Sequence, residues 1–119
     1  LHTDPYFVYN KASIEPQVFY SEYLNKYLMV NGGANGEFYL YYSDTIDGPY
    51  VNYTCLPVAP SDPKCAGNGY GPFFHSLFTD YGGKRLFMQI SRWETYVTYV
   101  VEVVLKWDFY DNTNSKCSL

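Results

Sequence analysis

His75, Ser76 and Asp80 bring a base, a hydroxyl and a carboxylate within six positions of one another. A histidine oriented by a carboxylate can take a proton from a serine or from a bound water, so a small hydrolase using His75 is one reading of the chain. Adjacent residues on a strand point to opposite faces, which places Ser76 badly for His75 if the segment is extended. There is also no Gly-x-Ser-x-Gly elbow to present the hydroxyl. The simpler reading is a half-buried histidine bonded to backbone or facing solvent.

The other chemical groups are spaced still less favourably. His2 and Asp4 offer ligands beside the first residue, but the tight terminal copper arrangement wants histidine third, and terminal residues ordinarily fray. Asp44, Asp47 and Asp62 lack the dense oxygen-ligand spacing of a calcium loop and read as turn formers. Glu94 and Glu102 are eight apart, roughly 26 Å along a straight strand, whereas a glycosidase pair must lie within roughly 5 to 10 Å. Glu37 and Asp44 sit near opposite ends of one segment. Gly67-x-Gly69-x-Gly71 is not followed by Lys-Ser/Thr, and Pro72 interrupts it before a helix can begin, so it fails as a phosphate cradle. The sequence therefore predicts no enzyme, no cofactor and no metal.

Three cysteines are neither a dense disulfide scaffold nor a zinc array, since no Cys-x-x-Cys and no nearby histidine accompany them. Cys55 and Cys65 bracket a segment with three prolines, and a bridge between them would contribute roughly 2 to 3 kcal/mol by loop closure. That pairing is the expectation; a bridge from Cys117 to either one, or three thiols, are the alternatives. Asn52-Tyr53-Thr54 is an acceptor sequence for an N-linked glycan. The chain opens on Leu1 without a methionine, which suits a secreted product whose signal peptide has been removed.

Composition narrows the partners. Apolar residues make up 47% and charged residues 17%, so a core is affordable and the signature of disorder is absent. A formal charge of -4 with basic residues scattered singly, apart from Lys84-Arg85, excludes a phosphate-tracking surface and hence nucleic acid. No apolar run is long enough for a spanning helix. Fifteen tyrosines, eight phenylalanines and two tryptophans exceed what a core of this size comfortably holds. Tyrosine suits strands, yet it also supplies rigid contact area with a wet hydroxyl at binding surfaces.

The elements that must position these groups follow from periodicity. Tyr6 to Tyr9 reads as a first strand. From Pro16 to Val30 the residues Phe19, Tyr20, Tyr23, Leu24, Tyr27 and Leu28 recur at three and four, which predicts an amphipathic helix carrying a Glu22–Lys26 pair and stopped at Asn31-Gly32-Gly33. The period then becomes two: Phe38, Leu40 and Tyr42 face inward against Tyr39 and Tyr41, and Val51, Tyr53 and Cys55 share a face opposite Asn52 and Thr54. Residues 57–72 read as a constrained loop. Leu86, Met88 and Ile90 alternate in a further strand, and Val97 to Phe109 alternates over a length that requires a bulge or bend.

One helix followed by at least four strands gives a single α+β domain over 1–119, with an amphipathic helix packed on a curled antiparallel sheet of four to six strands. The order of elements resembles the cystatin-like arrangement, although the Gln-x-Val-x-Gly hairpin and the later Pro-Trp pair of those inhibitors are missing, so their activity does not carry over. A β-sandwich with residues 16–30 as helical decoration is the alternative. The functional expectation is a secreted, non-enzymatic binding protein of inhibitor or effector type. It would recognise another extracellular protein through the loop and Tyr39, Tyr41, Tyr70, Phe73 and Phe74. A glycan-binding module using the same rings is the runner-up, and a dimer through Cys117 or the C-terminal strand is compatible with either.

Overall fold

The computed structural model describes residues 14–106. Seven strands follow one another: β1 (Ile14–Ser21), β2 (Lys26–Gly32), β3 (Phe38–Ser43), β4 (Val51–Leu56), β5 (Gly69–Asp80), β6 (Arg85–Arg92) and β7 (Thr98–Val104). Strands β1 to β4 form one antiparallel sheet in chain order and β5 to β7 form a second. The helical content of the described residues is a single 3-10 turn at Tyr81–Gly83. The helix packed on a sheet, and with it the cystatin-like order, is therefore incorrect; the β-sandwich alternative fits, without its helical decoration.

The segment expected to be helical is the β1–β2 hairpin, in which Phe19 pairs with Leu28, Tyr20 with Tyr27 and Ser21 with Lys26. Its three-and-four spacing arises because two strands are joined through a four-residue turn, so apolar residues from both strands and from the turn fall into a helix-like count. Val18, Phe19, Tyr20, Tyr27 and Val30 are strand formers. The turn is fixed by Asn25 in the left-handed region (φ 52) and by the Leu24 N–H donating to Ser21 Oγ at 3.2 Å. Left-handed backbone is incompatible with a helix interior. Lys26 pairs with Asp44 at the end of β3 and not with Glu22.

The two sheets share one core. Leu28, Val30, Phe38, Leu40 and Leu56 come from the first sheet, and Phe74, Leu86, Met88, Ile90 and Val103 come from the second. Each such side chain contributes roughly 1.5–3 kcal/mol on burial. The alternations expected for Phe38–Leu40, for Leu86–Met88–Ile90 and for the inward face of β7 hold. Two details differ. A register break between Leu40 and Tyr41 makes Tyr53 the extra residue of β4, so the expected face of Val51, Tyr53 and Cys55 is not shared: Thr54 pairs with Leu40 and is buried, Cys55 pairs with Tyr39, and Val51, expected inward, is 48% exposed. Strand β7 is bounded at Val104, although the Leu105 N–H still donates to Lys84 O at 2.8 Å in the register of the β6–β7 ladder. At the next residue the chain meets the other sheet, where the Tyr53 hydroxyl donates to Lys106 O at 3.0 Å. The predicted strand at Tyr6–Tyr9, the His2–Asp4 pair, the continuation of the last strand through Phe109, and Cys117 lie outside the described residues. Among the described residues no helix is long and apolar enough to cross a membrane.

Between the sheets, Gln17 of β1 makes two hydrogen bonds to Phe74 of β5. Its Nε2 donates to the Phe74 carbonyl at 2.9 Å, and its Oε1 accepts from the Phe74 N–H at 2.6 Å. The Phe19 and Phe74 rings meet beside it with centroids 5.1 Å apart. Replacing Gln17 by Met keeps the volume and removes both bonds, so it should cost about 2 kcal/mol in urea unfolding, while Glu22→Ala at the exposed turn should stay within about 0.5 kcal/mol. Equal small effects would mean that the sheets join without this amide.

Candidate ligand-binding site

The Cys55–Cys65 bridge is present, and what it holds is a wall. Residues 57–68 fold back onto the core, with Val58 and Ala59 buried and the Cys65 N–H donating to Leu56 O at 3.2 Å. The expected loop is shorter than 57–72, because Gly69–Pro72 already belong to β5. Three residues beyond Cys65, the Asn68 N–H donates to Asn35 O at 2.7 Å and the Gly69 N–H to Gly36 O at 2.9 Å, which ties the start of β5 to the β2–β3 turn. That turn is closed by Gly33 N–H on Glu37 O at 2.7 Å and by Asn35 N–H on the Glu37 carboxylate at 3.0 Å.

A third segment completes the arrangement. The β6–β7 turn is held by the Tyr96 N–H on Arg92 O at 2.9 Å, and the Trp93 N–H donates to Asn68 O at 3.0 Å. This places the Trp93 ring against Tyr70, with centroids 4.2 Å apart and planes 31° apart, and Tyr96 stands edge-on to Trp93. Trp93 remains 54% exposed. Arg92 reaches Asp62 of the bridged loop at 3.5 Å and Glu94 at 3.7 Å, so the loop and the turn are also joined by charge.

The three segments enclose a recess of about 210 Å³ lined by Gly32, Gly33, Gly36, Asn35, Asn68 and Gly69, with Tyr70 and Trp93 as its aromatic wall. Sites that enclose a drug-sized molecule run from roughly 300 to 1,000 Å³. This one accommodates a single small ring or one inserted side chain. Ala34, Phe38 and Pro72 complete its lining; the main-chain groups of Gly33, Gly36, Asn68 and Gly69 are bonded within the fold, so the side-chain amides of Asn35 and Asn68 are its polar features.

The predicted contact residues are distributed unevenly around this recess. Tyr70 lines it. Phe73 is exposed on the same strand, but its ring lies against His75. Phe74 is fully buried in the intersheet core and offers no surface. Tyr39 and Tyr41 lie on the outer face of the first sheet, opposite Asn31 and Met29 respectively, where Tyr41 is buried and Tyr39 half-buried. Trp93, Asn35 and Asn68 escaped sequence reasoning; the readable signal was an unpaired tryptophan in a turn, Arg92-Trp93-Glu94-Thr95, directly after an alternating strand.

The catalytic candidate is not assembled in this structure. His75 lies between the rings of Phe73 and Phe78, and Asp80 forms an ion pair with Arg85 at 3.2 Å. The carboxylates likewise go to structural partners: Asp44 to Lys26, Asp62 to Arg92 and Glu102 to Arg85. Burial pushes the Tyr50 phenol pKa up, with Tyr27 and Asp47 adding to the effect, but this group lies near the β3–β4 turn, where it donates to Ile46 O at 2.8 Å. No family model, curated protein or solved structure matches the chain.

Gly36 is the least replaceable residue of the recess. Its φ is +80, and a Cβ there would lie 2.7 Å from the backbone of Gly69. Gly82 also has positive φ, with nothing within 4 Å of its Cβ position. Gly82→Ala should therefore cost about 1 kcal/mol from backbone strain alone, and Gly36→Ala about 3 kcal/mol or more, since strain and a main-chain clash combine. Thermal melts of the two variants check this, and equal shifts would deny the close approach of the two segments.

Proposed function

We propose that the protein is a secreted recognition module without turnover chemistry, and that its ligand is a saccharide seated against Tyr70 and Trp93. The carrying observation is the half-exposed Trp93 ring, stacked on Tyr70 at the mouth of a recess whose other walls hold glycines, Asn35 and Asn68 beside Ala34, Phe38 and Pro72. A sugar ring has an apolar C–H face that suits an aromatic surface and a rim of hydroxyls that suits side-chain amides. Pre-organisation favours this use. The bridge, the Asn68 contacts and the Arg92–Asp62 pair fix the walls before the ligand arrives, which lowers the entropy lost on binding. An extracellular setting agrees with the bridge, since disulfides persist in oxidising compartments.

A second reading, an extracellular protein partner, is favoured by a different feature. Between the pairs Phe74–Met88 and Thr79–Leu86, four residues of β5 face a single residue of β6. The surplus is extruded, leaving Leu77 91% and Phe78 70% exposed. Large apolar side chains left together in solvent are a common mark of a protein contact surface.

Titration with a panel of soluble oligosaccharides, read by calorimetry, separates the readings. Trp93→Ala should lose about 2 kcal/mol, or roughly thirty-fold in affinity, while His75→Ala should bind as the parent does. Undiminished binding by Trp93→Ala would end the saccharide reading at this recess. Capture of one protein partner that survives enzymatic removal of its glycans, and is lost in Leu77→Ser/Phe78→Ser, would favour the second reading. A measurable turnover abolished by His75→Ala would overturn both.

A further inference from the structure

We infer that Asn52 is a site of covalent N-linked glycosylation, and that the sugar stands on the outer edge of the first sheet. Asn52-Tyr53-Thr54 is the single such acceptor sequence in the 119 residues. Its presence alone says little, because three-residue matches arise by chance and many are buried on folding. Here the fold leaves the side chain available. Asn52 is exposed and lies on β4, the terminal strand of its sheet. The register break in the β3–β4 ladder sends the intervening Tyr53 into the core, where its hydroxyl bonds Lys106 O, while Asn52 stays in solvent beside the exposed Val51.

Two further observations point the same way. The Cys55–Cys65 bridge begins three residues after Asn52, and such bridges persist in oxidising compartments, which in eukaryotes include the one where these glycans are attached. Strand β4 is also lightly protected as a terminal strand. Val51–Leu56 contains no charged residue and no proline, two common devices against pairing with another chain, and has its bulge at Tyr53 and the Cys65 N–H on Leu56 O instead. A bulky, hydrated oligosaccharide at Asn52, near the start of the strand, would add to that protection.

The chemistry is a group transfer from a diphosphate-linked oligosaccharide donor. The Asn52 Nδ2 forms a bond to the anomeric carbon, the bond from that carbon to the donor's phosphate oxygen breaks, the diphosphate leaves with the electron pair, and one Nδ2 proton is released to a base of the transferring enzyme. No oxidant or reductant is needed.

The test is secretion of the full chain from a eukaryotic host, followed by intact-mass measurement before and after peptide N-glycosidase treatment. The parent should emerge heavier by one oligosaccharide, and the enzyme should remove it while converting Asn52 to Asp, which peptide mass reads directly. Asn52→Gln and Thr54→Ala should each lose the whole mass shift, whereas Thr54→Ser, which keeps the acceptor sequence, should retain it. Mapping the Cys55–Cys65 link in every secreted product shows that the chain folded in the oxidising compartment. A parent secreted with that link intact and no added mass overturns the proposal, as does a sugar that persists in Asn52→Gln. If unglycosylated Asn52→Gln is more prone to self-association than the parent at equal concentration, the protection of the β4 edge is supported; equal behaviour would overturn that part.

Discussion

Two meanders that each satisfy their own backbone still have to be fixed relative to one another, and here a single side-chain amide does much of that. Gln17 presents one donor and one acceptor to the N–H and C=O of Phe74, which is what an additional strand would offer a ladder position. Apolar burial between the sheets is non-directional and would tolerate sliding. The paired hydrogen bonds do not, because any shift along β5 breaks both and leaves buried polar groups unmatched. Phe74 is thereby held in the core against Phe19, and the rest of β5 takes its place from that point.

The recess inherits its shape from this alignment. With β5 set at Phe74, its first residue, Gly69, is brought against the β2–β3 turn, where Gly36 accepts its N–H. The close approach is possible because neither position carries a side chain: a Cβ on Gly69 would fall 2.6 Å from the Phe38 ring. The disulfide then restrains the segment leading into Asn68. A bridge closing about ten residues contributes roughly 3 kcal/mol through the unfolded state, and it also limits how far that wall of the recess can open. Arg92 links the same loop to the turn that carries Trp93. Each wall therefore rests on a different kind of interaction: main-chain hydrogen bonds, a covalent bridge and an ion pair.

Local patterns were legible in the sequence and long-range placement was not. The inward sets on β3, β6 and β7 follow from two-residue alternation, and the Cys55–Cys65 bridge from the spacing around prolines. The β1–β2 hairpin was misread because its turn, Glu22–Asn25, contains Tyr23 and Leu24, so the apolar count never pauses where the chain reverses. A four-residue turn keeps a three-and-four rhythm by accident; only the left-handed Asn25, which composition does not reveal, separates the two readings. At the candidate site, Tyr70 was visible as an aromatic beside a glycine-rich run. Its partner Trp93 is twenty-three positions away, and that contact follows from the Tyr70–Ser91 ladder register. Phe73 and Phe74 look alike in sequence, yet the strand pleat sends one to solvent and the other to the core.

The tyrosine excess shows why location decides more than abundance. Tyr20 and Tyr27 are cross-strand partners with rings 5.0 Å apart, Tyr42 meets Tyr53 edge-on at 6.3 Å, and the hydroxyls of Tyr50 and Tyr53 bond main-chain carbonyls. These residues serve the sheets, where an aromatic ring covers a broad area of pleat and a hydroxyl finds a partner at the margin. A count of tyrosines cannot distinguish such uses from recognition, because both draw on the same combination of rigid ring and polar tip. What distinguishes Tyr70 is its surroundings: it stacks on an exposed tryptophan and faces a concavity that Asn35 and Asn68 also line. Aromatic surface becomes a binding surface where the fold leaves it beside polar groups that a ligand can reach.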